Sequence, residues 1–125
     1  MDQEQKIKEL EQDVFNLNKK INEMEFRQDL LFHRTAVNEM LYEYKITKHQ
    51  YDKIMDVMDV YRDAIDNGKD VSHGKFEQEI YEIVTQHQGN YHFVEYLTAA
   101  FKEEGRWEEV FDKLYGDMPK YKNKR

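Results

Sequence analysis

A chain of 125 residues has room for one domain with a modest core, plus an extension that need not bury itself. Charged residues make up 36% of it and aromatics 14%, too many aromatics for a disordered chain, so the charge belongs on solvated helix faces. The absence of cysteine excludes a disulfide framework, a thiolate metal site and a cysteine nucleophile, and a net charge of -7 sets most of the surface against phosphate.

The chain opens on "MDQEQKIKEL", acidic and polar where a signal peptide is basic and then apolar, and no later run has the length of a membrane span. A cytoplasmic protein with no membrane partner is the expectation. From Ile7 the apolar residues recur at alternating steps of three and four. With Ile7 at heptad position a, Val14 and Ile21 also fall at a, and Leu10, Leu17, Met24 and Leu31 at d, with Gln28 the one polar exception. A stripe of about two-sevenths of the surface is the width of a coiled-coil seam, narrower than the face a helix turns toward a globular core. Nothing else in the chain has a matching seam, so the expected partner is a second copy. Copies in parallel pair Lys6 with Glu11 and Lys20 with Glu25 across positions g and e, which favours a parallel homo-oligomer, a dimer or a trimer. The competing reading is an amphipathic helix folded back onto its own domain.

At Phe26 the narrow stripe gives way to a broad apolar face, and the heptad fails at Thr35 and Asn38, so a break is expected between His33 and Thr35. "ITKHQ" then carries a capping box, Thr47 with Gln50, opening a helix that turns Tyr51, Ile54, Met55, Met58, Tyr61 and Ile65 inward and stops at Asn67-Gly68. Ser72 caps the next helix, expected to run to Gly89, and Asn90 caps another, closed by Gly105. A last helix with Trp107, Val110, Phe111 and Leu114 ends at Gly116. The fold class is therefore all-α: a long N-terminal helix with coiled-coil heptads (residues 1–33), a bundle of four to five short helices (34–116) and a basic tail (117–125).

"LYEYKIT", "KHQYDKIMDVMDVY", "VSHGKFEQEI" and above all "AFKEEGRWEEVFDKLYGDM" resemble, over roughly residues 30 to 116, the YhaI-like family of small helical proteins from Bacillus-type bacteria. The resemblance implies an all-helical, oligomeric protein and brings no catalytic or binding residue with it. The heptad segment and the basic tail depart from the family pattern.

Several stretches invite a chemical reading. "DAIDNGKDVSHGKFEQE" fails as a calcium loop in both registers, because glycine and carboxylate do not fall at the required positions together. His87 and His92 flank the turn "QGNY" and raise the question of a shared metal, although no third ligand stands at a helical spacing. "IYEIVTQHQGNYHFVEYLT" has the outline of a helix-turn-helix whose second helix offers His92, Glu95 and Thr98 but no Arg or Lys. Ser72 is the only serine and reads as a cap, and no phosphate loop exists, so neither enzyme activity nor a cofactor is expected. Two sets of residues remain for a partner: Trp107, which is either core or an exposed anchor, and Lys120, Lys122, Lys124 and Arg125 around Tyr121, which are either a disordered solubilising end or a contact for nucleic acid, an acidic protein or another subunit. The leading expectation is a non-enzymatic, oligomeric interaction or scaffold protein. The alternative is a regulator, or an inhibitor of phage type, acting on nucleic-acid machinery through the acidic body or the basic tail.

Overall fold

The computed structural model describes residues 2–122. They form seven α-helices and no strand: α1 (Gln3–Phe32), α2 (Ala36–Glu43), α3 (Lys48–Asp66), α4 (His73–Ile83), α5 (Tyr91–Glu103), α6 (Glu108–Tyr115) and α7 (Pro119–Lys122), with one 3-10 turn at Thr85–His87. Helix starts follow the side-chain caps. Thr35 accepts from the Asn38 amide, Ser72 from Lys75 and Asn90 from Phe93, and Thr47 and Gln50 complete their capping box reciprocally.

Three helix ends share one backbone device. After α3 and α5, Gly68 and Gly105 take left-handed conformations, and paired bonds (Gly68 N to Ile65 O and Lys69 N to Ala64 O; Gly105 N to Lys102 O and Arg106 N to Phe101 O) satisfy the last carbonyls. After α2 the same pair forms, Lys45 N to Tyr42 O and Ile46 N to Leu41 O, but the left-handed position holds a lysine at φ 56°. The bond brings Ile46 against Leu41, and both are fully buried. Ile46 is thus a core residue in a segment with no glycine to mark its turn.

The core joins α2 to α6. Val37, Leu41, Ile54, Met58, Phe76, Ile80, Val84, Phe93, Phe101 and Val110 are sealed from solvent, and α5 lies at the centre with residues buried on nearly every side. Two helix limits differ from expectation. The helix begun at Ser72 stops at Ile83 rather than at Gly89. There Val84 leaves helical geometry to bury its side chain, and the Gln50 amide takes the Ile83 carbonyl. Trp107 precedes α6 in a left-handed conformation at φ 50° instead of starting it. The break between His33 and Thr35 is present.

Candidate assembly interface

The last turns of α1 are held to the bundle by one side only. Leu30 is buried, Phe26 packs on the core with its ring centroid 6.2 Å from Tyr51, and Glu23 accepts from the Lys48 amide at 3.4 Å. Arg27 lays its guanidinium over Tyr42, 4.4 Å from the ring centre, and reaches the Tyr42 carbonyl. Glu23 and Leu30 are heptad c residues and Phe26 is an f residue, so the docked side of the helix lies opposite the a and d positions. Ile7, Leu10, Val14, Leu17, Ile21, Met24 and Leu31 are all exposed, from 43% at Leu31 to 68% at Met24. Within one chain the stripe from Ile7 to Met24 is exposed and not folded onto the bundle, against the fold-back reading, and only Leu31 lies close to α2.

Trp107 sits where α3, α5 and α6 meet. It is half-buried, stands edge-on to Phe101 at 4.9 Å, and donates its indole N–H to Asp59 at 2.9 Å. Beside it Arg106 donates to the Tyr51 hydroxyl and to Glu104, each at 3.0 Å. Glu104 in turn accepts from the Val37 amide at 3.0 Å, so its carboxylate caps the start of α2 from the end of α5. Burial opposes its charge, but bonds from Thr35, Val37 and Arg106 outweigh burial and hold the carboxyl below its usual range. One face of Trp107 thus braces the bundle while the rest stays open.

The described part of the tail, residues 117–122, is folded onto the bundle rather than free. Pro119 opens the short α7, which lays Tyr121 edge-on against Phe111 at 4.9 Å. The Tyr121 hydroxyl donates to Glu95 at 2.9 Å and the Lys120 ammonium to the same oxygen at 2.7 Å. Burial, and then the bond to Glu95, push the Tyr121 hydroxyl far above its ordinary range, so it remains a donor. Lys120 is therefore already paired within the chain. Lys122 belongs to α7, and Lys124 and Arg125 lie outside the described residues.

The helix-turn-helix reading fails on burial, because Glu95 and Thr98 are sealed in the core and cannot face a nucleic-acid groove. His87 is a packing residue: its Nε2 lies 2.6 Å from the Tyr44 carbonyl, which only accepts, so Nε2 is the donor, and the imidazole packs against both Tyr44 and Phe93, which also touch each other. His92 stacks between Tyr91 and Tyr96. Among the described residues no three His, Asp or Glu side chains are grouped to hold a metal, and no helix is long and apolar enough to cross a membrane.

Compared with family models, curated proteins and solved structures, the chain matches none. The exposed stripe and the buried carboxylate are what remain to read. Sequence reasoning located the stripe through its spacing. It missed Glu95, Glu104 and Asp59, whose partners stand far away in the chain, and no local signal separates them from the many solvated carboxylates.

Proposed function

We propose that the protein is a non-enzymatic scaffold in which a parallel coiled coil of α1 gathers two or three copies of the helical domain. The observation that carries this reading is the unpartnered stripe on α1, apolar from Ile7 to Met24 and facing away from its own bundle. An isolated helix of this size, about 45 Å long, gains little from propensity alone and needs a partner to cover its apolar face. Charge complementarity favours the second copy: Lys6 and Lys20 at g meet Glu11 and Glu25 at e of a parallel neighbour. Docking through c and f leaves each domain on the outside of such a seam, so the domains do not obstruct it.

The double variant Val14→Lys and Leu17→Lys tests the reading by placing like charges at the shared axis, where each unpaired charge costs several kcal/mol. Light scattering is expected to give a multiple of 15.3 kDa for the wild type and the single-chain mass for the variant, with the helical content of the domain retained. A wild type that is already monomeric at micromolar concentration, or an unchanged mass in the variant, overturns it.

A further inference from the structure

Glu95 is completely buried in the most enclosed helix of the bundle, yet its carboxylate ends in a contact that opens to solvent. Oε2 accepts from the Lys120 ammonium at 2.7 Å and from the Tyr121 hydroxyl at 2.9 Å, while Oε1 has no hydrogen-bond partner among the described residues. The same ammonium lies 5.9 Å from the ring centre of Tyr96 and 5.4 Å from that of Tyr121. Both fall within the roughly 6 Å over which an aromatic face attracts a cation. A buried carboxylate beneath and aromatic faces at the sides is how an alkylammonium ion is recognised: charge-assisted bonds hold the N–H groups and the rings take the methylenes. Lys120 fills this position with its own side chain 48% exposed, so the slot communicates with solvent. The lysine stem can swing out by rotamer change alone, while Tyr121 stays held by Phe111 and Glu95.

We infer that Glu95, Tyr96 and Tyr121 form a binding site for a primary alkylammonium group, occupied in cis by Lys120 and open to an external ammonium when Lys120 leaves. The ligand class is a lysine side chain presented by another protein segment or a free diamine, which share this chemistry. An unpaired carboxylate at Glu95 is costly, so a vacated site favours a replacement cation. A tethered lysine acts at an effective concentration of the order of millimolar, so an external amine binds the wild type weakly and is unmasked by removing the tethered one.

The test is chemical rescue. Lys120→Ala removes the ammonium and leaves Tyr121 and Tyr96 in place. Melting temperature is followed with added n-butylammonium chloride, against tetramethylammonium chloride at equal ionic strength as a cation with no N–H to donate. A saturable rise with n-butylammonium is expected in Lys120→Ala, in the form that mass action gives a ligand of the folded state. The rise should be much smaller with tetramethylammonium, and absent from the wild type and from Lys120→Ala combined with Glu95→Gln. If Lys120→Ala does not fold alone, refolding on n-butylammonium but not on tetramethylammonium is the same positive result, and failure with both overturns the site. No rise in a folded Lys120→Ala, or an equal rise in all proteins, overturns it as well. Titration of the rescued variant by NMR with a capped peptide carrying one lysine and with putrescine then distinguishes the sources, the tighter of the two naming the ligand.

Discussion

Two residues outside any glycine hold left-handed backbone, and each carries a measurable consequence. Lys45 closes α2 where glycine is the usual choice, with an exposed side chain. Lys45→Gly removes the Cβ clash of that conformation and gives back part of it as extra freedom in the unfolded chain. A net gain of about 0.5 to 1 kcal/mol is expected, read as a higher urea midpoint at unchanged slope. Trp107, at φ 50°, keeps its backbone conformation because its ring is pinned between Phe101 and the Asp59 carboxylate. Since it is only half-buried, Trp107→Ala should cost roughly 2 to 3 kcal/mol by denaturant unfolding followed by circular dichroism, less than the loss of a sealed indole. A near-neutral result makes the open face of the ring its main asset and a candidate anchor for a protein partner.

At the scale of elements, side chains from elsewhere in the chain complete what local sequence began. Helix α2 is only eight residues long, too short to persist alone, and its start is capped twice, by Thr35 from within and by Glu104 from the end of α5. Because the folded Glu104 carboxyl sits below its ordinary value of 4.5, the unfolded chain binds the extra proton. Its contribution is complete above the unfolded value and is lost as pH falls through the folded one. Glu104→Ala should therefore lower stability at pH 7 by about 1.5 to 3 kcal/mol, the worth of hydrogen bonds to a charged group. The difference from wild type should shrink as pH falls below about 4.5. Stability curves at pH 7 and below pH 4 check the sign, and a difference that grows on acidification refutes it. The early end of α4 has the same origin, since Val84 gains more by burial than by one further helical bond, and Gln50 supplies the partner that Ile83 would otherwise lack.

For the whole molecule, the c and f positions of α1 dock the domain while the a and d positions stay exposed, and the proposed seam makes a prediction of its own. The chain has no cysteine, so a single introduced thiol reports its own symmetry. In a parallel seam Leu17→Cys, at d, should give a covalent dimer on mild oxidation, whereas Phe15→Cys, on the b position beside it, should not. Equal cross-linking at both positions, or none at either, contradicts a parallel seam. Were the helix to run antiparallel to its copy, the two Leu17 positions would face each other only if they lay at the crossing centre.

The sequence by itself determined the all-helical class, the capping residues, the break before Thr35 and the narrow stripe of α1, because each of these rests on interactions within one or two turns. Period, cap and glycine are local quantities, and they are legible wherever the competing terms are weak. Only the tertiary structure decided that Glu95 faces inward, that Lys120 and Tyr121 close over it, and that Glu104 caps a helix 67 residues away. A carboxylate's partner is set by which helices become neighbours, and among 26 acidic residues no spacing rule picks out the few that burial has made expensive to leave unpaired.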